Sequence, residues 1–383
     1  EDNVKDVEKI SNKDEFWNSI SVHGLENQSL LRDELNKVGK GFCLAKWNQV
    51  SILLQTGQTH SCHHPRPHVV PLEELYNDPS ALHNTEFKKF QRKDMLEDGR
   101  PEECDYCWNV EDANPGAFSD RIMKSGESWA FSYFDKIKNS DWTDNTIPSY
   151  VEVSFSNQCN QACAYCDVKS SSNWQQEIAT QGPYPTSGMF NNTDWMEKLP
   201  IPHREKNPYV EAFWEWWPDL YRDLHTFRIT GGEPLLSKDT FKVLDYIIEE
   251  KNPNRELVLS INSNLMVPDE LIDEFIEKVN IITKEKRVKE FQMFTSVDTW
   301  GKDAEYIRNG LVFDKFWDNC NKFLRECPIP SLTFMVTYNA LSVFNFDKFI
   351  EGVYKLKTEY INKSRIFPSS VCVIDISYLR YPT

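Results

Sequence analysis

The sequence predicts an α/β protein, a run of six strand–helix units behind a smaller segment rich in patterned cysteines. Three observations carry this. From residue 150 onward, short β-branched and aromatic runs alternate with longer amphipathic stretches, the rhythm of a parallel sheet with crossover helices. Three cysteines stand within eight residues after the first of those strands, in Cys159-Asn-Gln-Ala-Cys163-Ala-Tyr-Cys166. Four more, Cys43, Cys62, Cys104 and Cys107, are grouped upstream.

Strands are expected at 151–156, 226–229, 257–262, 292–297, 332–338 and 371–377, with helices at 238–251, 269–279, 313–327 and 343–356. Pro268 suits a helix start, and Asp269 suits the first turn, where a carboxylate meets the positive end of the helix dipole. Six units fall short of the eight that close a barrel. Between the first two strands lies an insertion, about 167–225, with a glycine-bearing loop at 182–188 and an aromatic helix around Phe213, Trp214 and Trp217. The spacing of those rings is that of a buried helix face, which outweighs a role at a substrate mouth.

Upstream, residues 1–40 are a charged N-terminal extension. Phe16, Trp17, Ile20 and Val22 form an apolar patch there, and Leu30, Leu31, Leu35 and Val38 indicate a helix. Residues 41–110 carry the four upstream cysteines. A strand pair turning at Gly57 would bring Cys43 and Cys62 together, and Cys104-Asp-Tyr-Cys107 is a chelating turn. Four thiolates make a closed site, and on spacing alone zinc and an iron–sulfur cluster both suit it. His60, His63, His64 and His68 crowd Cys62, but with four thiolates in place they read as a polar loop among prolines. Residues 111–149 are a linker region with a helix over 120–138; Asp141-Trp-Thr-Asp-Asn145 lacks the central glycine of a calcium loop. Residues 150–383 form the α/β core, in which Cys320, Cys327 and Cys372 read as buried structural thiols.

Composition narrows the function. Hydrophobic residues make up 40% and aromatic residues 13% of the 383, enough for a sizeable core. The net charge of −16 and the lack of a basic stripe argue against nucleic acid as a partner. No apolar run is long enough to span a membrane and no signal peptide is visible. Ten cysteines in tight motifs without a secretion signal point to metal rather than disulfides, and to a reducing cytoplasm. The chain begins at Glu1 and reads as a trimmed form or a fragment.

The cysteine triplet indicates its own chemistry. Three thiolates on a four-iron cubane leave one iron open, free to chelate the amine and carboxylate of a small molecule and to pass it an electron. Downstream, Thr230-Gly-Gly-Glu-Pro234 follows the second strand. Its glycines permit close backbone approach, and Glu233 offers an acceptor to an ammonium group. On the Cys-x3-Cys-x2-Cys spacing, with the aromatic Tyr165 before the third cysteine, and on Gly-Gly-Glu-Pro at the next strand end, the chain resembles the radical S-adenosylmethionine (SAM) enzymes. The competing reading is a zinc knuckle with an unrelated turn.

The resemblance implies a 4Fe–4S cluster on Cys159, Cys163 and Cys166, with SAM on the fourth iron and its cleavage yielding a 5′-deoxyadenosyl radical that abstracts hydrogen from a substrate. It implies SAM contacts at Tyr165, Gly231, Gly232, Glu233 and Pro234, and at later strand ends from Asn262, Asn264, Ser296 and Asp298. Arg308, in Tyr306-Ile-Arg-Asn-Gly310, would pair with the SAM carboxylate, and Tyr378, Arg380 and Tyr381 would face substrate. Upstream, Cys43-x13-Gly57-x4-Cys62 is similar to the opening of the SPASM and twitch segments of the family, which implies an auxiliary 4Fe–4S cluster on Cys43, Cys62, Cys104 and Cys107. Such segments usually follow the barrel. Here it precedes, an order shared by a group of twitch-type members from phage and marine bacteria. The resemblance spans about residues 42–381, and implies a partial (β/α)6 TIM-like barrel preceded by a small twitch-like auxiliary domain. The implied activity is oxidation, crosslinking or epimerisation of a peptide or protein, with a one-electron reductant such as a flavodoxin or ferredoxin. The same chemistry on a sugar, alcohol or nucleotide derivative is the alternative, and a non-enzymatic zinc protein is the reading from another class.

Overall fold

The computed structural model describes residues 25–182, 200–361 and 371–379. The apolar patch at 16–22, nearly all of the 182–188 loop, Arg380 and Tyr381 lie outside the described residues. The chain forms two compact units. One comprises residues 1–50, 61–66 and 83–148; the other comprises 51–60, 67–82 and 149–383.

In the first unit, helix α1 (Leu25–Val38) covers the expected Leu30–Val38 pattern and buries Leu31 and Leu35. Helices α2 (Glu86–Leu96), α3 (Asp105–Ala113) and α4 (Asp120–Ser125) follow. Thr85 caps α2 by accepting from the Lys88 backbone N–H. The single helix expected over 120–138 is instead three short ones, α4, Ser128–Phe131 and Phe134–Lys138. Gly126 ends the first, its N–H taking the carbonyls of Ile122 and Met123, as a residue with poor helix propensity does at a C-terminus.

The second unit is built on a parallel sheet. Strands β4 (Tyr150–Ser154), β5 (Thr226–Thr230), β6 (Val258–Ser263), β7 (Glu290–Ser296), β8 (Ser331–Tyr338) and β9 (Cys372–Tyr378) lie side by side in sequence order, each parallel to its neighbour. The antiparallel hairpin β1 (Gln49–Leu53) and β2 (Gln58–His60), with β3 (His68–Val69), extends it beyond β4, so the sheet is open. Gly57 turns the hairpin at φ +63°, and a Cβ there would strike the Tyr209 ring at 2.1 Å, so glycine is required on both counts. The expected strands stand within two residues of the observed ones.

Period-two alternation sorts the sheet's faces. Val151, Val153, Phe227, Ile229, Leu259, Ile261, Met293 and Phe334 are buried on the helix-covered face. Helix α5 (Ser172–Gln181) follows the cysteine loop, and α6 (Pro208–Arg222), α7 (Lys238–Glu249), α8 (Asp269–Lys284), α9 (Phe313–Glu326) and α10 (Phe346–Tyr360) complete the unit. Trp217 of α6 meets Phe227 at 4.8 Å between ring centroids, and Trp317 of α9 meets Phe334 at 5.8 Å. Phe213 and Trp217 are buried core, as their spacing predicts; Trp214 is half-buried and donates to Asp239. The opposite face is polar: Arg228 donates to Asn262, and Ser260 to Gln292. Cys320, Cys327 and Cys372 are buried, the structural role their positions predict. Helix α10 begins at Phe346 rather than 343, because Asn339 caps a preceding 3-10 turn over Ala340–Asn345.

Candidate functional site

The second unit places the cysteine triplet on the loop leaving β4, at the C-terminal end of the sheet. The loop is held at many points. The Ser172 hydroxyl accepts from the Cys159 N–H, the Asn157 amide donates to the Val168 carbonyl, and the Trp174 indole donates to the Cys163 carbonyl at 2.8 Å. Ala162 and Cys163 pair antiparallel with Asn309 and Arg308. Asn264, at the end of β6, donates its amide to Asn160 at 2.8 Å, and Asn160 donates to the Met266 carbonyl.

The Gly-Gly turn after β5 presses onto this loop. The Gly232 N–H donates to the Ser156 carbonyl and the Glu233 N–H to the Gln158 carbonyl. A Cβ on Gly232 would meet the Gln158 carbonyl oxygen at 2.4 Å, and Gly231 has φ +119°. The close approach that demands glycine is therefore to the cysteine loop itself.

Together these elements line a cavity of ≈ 280 Å³. Cys159, Cys163, Cys166, Tyr165, Gly231, Gly232, Asn262, Asn264, Ser296 and Arg308, all expected from the sequence, line it. Ser263, within the expected Asn262–Asn264 stretch, lines it as well, and so do Gln161, Asp167, Ser170 and Thr230, which the sequence did not single out as contacts. Asp167 had a local signal, since an aspartate bonding the N–H groups of Lys169 and Ser170 makes an Asx turn.

Glu233, Pro234 and Asp298 differ from expectation: they are buried and do not line the cavity. The Glu233 carboxylate accepts from the Leu235 N–H, the Ser263 hydroxyl and the Asn264 N–H, at 3.0, 2.6 and 2.6 Å. It ties the glycine turn to the end of β6, and burial raises its pKa to about 7 against those donors. Asp298 accepts from Arg308 Nε and Nη2, from the Tyr165 hydroxyl and from the Thr337 N–H. The remaining arm of Arg308 reaches Cys163 Sγ at 3.7 Å. The guanidinium expected to meet a SAM carboxylate is instead forked onto Asp298 with one nitrogen on a thiol, because Asp298, two residues past the end of β7, is a buried acid within hydrogen-bond reach of it.

The lining suits the expected group. The three thiols face one opening, and the buried Gln161 amide nitrogen has no hydrogen-bond partner among the described residues, an orphan donor beside the cysteines that a bound acceptor would satisfy. Burial pushes Cys159 up to about 12 and raises Cys163 and Cys166 too, so without metal these thiols are protonated at neutral pH.

In the first unit, Cys43, Cys62, Cys104 and Cys107 line one cavity of ≈ 20 Å³. Cys104 closes a 3-10 turn and Cys107 stands in the first turn of α3, so their spacing of three puts both on one side. Burial pushes both up to about 12. Lys46, His64, Asp120, Arg121 and Lys124 share the lining. His64 is more than loop filler, contrary to the sequence reading: its ring stacks on Tyr106 at 3.6 Å and bonds Asp120 at 2.6 Å, and its backbone N–H donates to Cys62 Sγ. Among the described residues, no three Cys, His, Asp or Glu side chains are gathered as ligands of a single ion. No described helix is long and apolar enough to cross a membrane.

Residues 153–339 match the family model of the Radical SAM superfamily. No curated protein matches the sequence. Among solved structures, the chain is similar to native anSMEcpe with bound AdoMet, at 13% identity and a TM-score of 0.34, over 58% of this chain and 49% of that one. It is also similar to Streptococcus suis SuiB, at 14% identity and a TM-score of 0.37, over 77% and 62%, and to SuiB bound to S-adenosylmethionine, at 12% and 0.37, over 70% and 60%. The chain thus spans about half to three fifths of the length of these structures. The family match rests on the same strand ends that carry the cysteine triplet and the Gly-Gly-Glu-Pro turn, so residues 153–339 are a radical SAM domain, one that implies a 4Fe–4S cluster and SAM.

Proposed function

We propose that this protein reductively cleaves SAM on a cluster held by Cys159, Cys163 and Cys166, and uses the resulting radical to oxidise, crosslink or epimerise a peptide or protein. The observation that carries the reading is the ≈ 280 Å³ cavity that three cysteines share with the Gly231–Gly232 backbone and the ends of three further strands. When bound, the cluster and SAM supply a 5′-deoxyadenosyl radical that abstracts hydrogen. The chain's own residues hold and orient. Gln161 offers an unused donor, the glycine turn offers backbone, and Asn262 and Ser296 offer polar groups at strand ends. Arg308 steadies Cys163 from below.

A second opening in the same unit lies beside the cysteine loop. A cavity of ≈ 700 Å³ is lined by Phe155, Ser156 and Gln158 and by His203, Arg204 and Glu211, a size and mixed charge that suit a peptide side chain or a small molecule. We assign to Cys43, Cys62, Cys104 and Cys107 an auxiliary 4Fe–4S cluster, supported by the one cavity they share without being gathered around a single ion, since each thiolate of a cubane binds its own iron. A single zinc ion on the same thiolates is the competing reading, which the lack of a gathered three-ligand set among the described residues disfavours. A one-electron reductant of the flavodoxin or ferredoxin kind completes the system.

Iron, sulfide and 5′-deoxyadenosine assays on anaerobically reconstituted protein test this. Wild type should hold about eight irons, and the Cys159→Ala, Cys163→Ala, Cys166→Ala variant about four. Deoxyadenosine should form with wild type alone. A variant with no iron but bound zinc would establish the zinc reading, and wild type that makes no deoxyadenosine would remove the enzymatic one.

A further inference from the structure

Helix α2 is inverted. Its aromatic residues Phe87 and Phe90 are 44% and 54% exposed, whereas Lys88 and Arg92, one turn apart, are 1% and 0% exposed. Burying a lysine and an arginine while leaving two phenylalanines in water runs against every local preference, so something inside the unit must favour the cations.

Within the unit, each cation lining the four-cysteine cavity has a carboxylate partner. Lys46 bridges to Glu103, Arg121 to Glu111 at 2.9 Å, and Lys124 to Asp120 at 4.0 Å. Lys88 and Arg92 have none among the described residues. Lys88 Nζ meets only the ring of His83, at 2.9 Å. Arg92 is held by the Asn84 side chain, His83 and the Lys46 carbonyl. The carboxylate whose field Lys88 feels is Glu103, already paired with Lys46; the other anionic field is that of the Cys62 thiol. Two buried basic side chains thus lack a carboxylate of their own among the described residues, and burial, with Arg92 and Lys46 beside it, disfavours the charged form of Lys88.

A metal–tetrathiolate group supplies what is missing. Four thiols that bind Zn²⁺, or a 4Fe–4S core of charge 2+, release four protons and leave two negative charges. We infer that Lys88 and Arg92 are the buried counter-charge of a dianionic metal–tetrathiolate group on Cys43, Cys62, Cys104 and Cys107. The inference rests on the reading of those cysteines as a metal site, and holds for zinc and for the cluster alike. Lys88 and Arg92 touch no metal and act as positioning charges from behind Lys46 and His83.

The test uses the full chain carrying Cys159→Ala, Cys163→Ala and Cys166→Ala, so that one site remains, with Zn²⁺ alone as the probe. Chelator competition gives its affinity, and urea unfolding gives the stability of metal-free and loaded forms. Lys88→Met should weaken Zn²⁺ about tenfold, and Lys88→Arg should restore it. Lys88→Met should also stabilise the metal-free protein, because it removes a buried charge with no partner, while destabilising the loaded one. Arg92→Met is run in parallel, so that a single unfolded variant does not decide the matter. Unchanged affinity, or equal loss of stability in both forms, overturns the charge assignment. A background protein that binds no metal overturns the four-cysteine site itself, a different result from metal uptake at unaltered affinity.

Discussion

Asp298 is 0% exposed and gathers four donors, two of them from a guanidinium that is itself buried. Asp298→Asn keeps the shape but strands Arg308 without its counter-ion. The loss should be about 3–5 kcal/mol of unfolding free energy by urea titration, the range for a broken buried pair. Glu233 makes a prediction in pH. Its pKa in the folded, SAM-free protein is about 7 against an ordinary 4.5. A raised carboxyl pKa means that stability is present below the ordinary value and is lost as pH rises to the folded one. Relative to Glu233→Gln, which has no such titration, wild type should lose about 3 kcal/mol between about pH 4.5 and about pH 7. A flat difference across that range would show that the three donors outweigh burial. Neither role was legible in the sequence. Glu233 reads as a ligand contact from the Gly-Gly-Glu-Pro resemblance and Asp298 from its place at a strand end, whereas their burial and the partners Arg308, Ser263 and Asn264 depend on segments far away in the sequence.

At the scale of elements, the period-two and helical patterns made the core readable: strand after strand has its apolar face against helices, and expected and observed strand bounds nearly coincide. The cysteine spacings were readable for the same reason, being local. The turn Gly231–Gly232 was readable as important but for another cause, since what it approaches is the loop at Ser156–Gln158. Gly232→Ala should therefore push that loop away and act on the cysteines, not on SAM alone. Iron retained by the reconstituted variant should fall to about half the wild-type content, with the four-cysteine site keeping its share. Full iron with weakened SAM binding would return the glycine to the ligand. Helix α2 was opaque from sequence, since Lys88 and Arg92 at a spacing of four look like a solvated face.

For the whole molecule, the thiols set a common condition. Burial pushes Cys104, Cys107 and Cys159 to about 12, so loading either site must expel protons. Metal uptake should strengthen steeply as pH rises from about 6 to about 9 and reverse on acidification. Proton release in a weakly buffered titration with Zn²⁺ checks it, and a pH-independent affinity would mean that the thiols ionise without metal. Finally, the residue pair Cys163 and Arg308 is separated by 145 positions. A ribosome delivers the three cysteines long before Asn264, Asp298 and Arg308, the groups that shape their loop. Until those strands arrive the thiols hang on an unformed segment, exposed to stray metals and oxidants. Maturation of this centre is therefore a late event in the life of the polypeptide, one that waits for slow, long-range closure of the sheet and sets a window in which a chaperone or a scaffold for nascent clusters has something to protect.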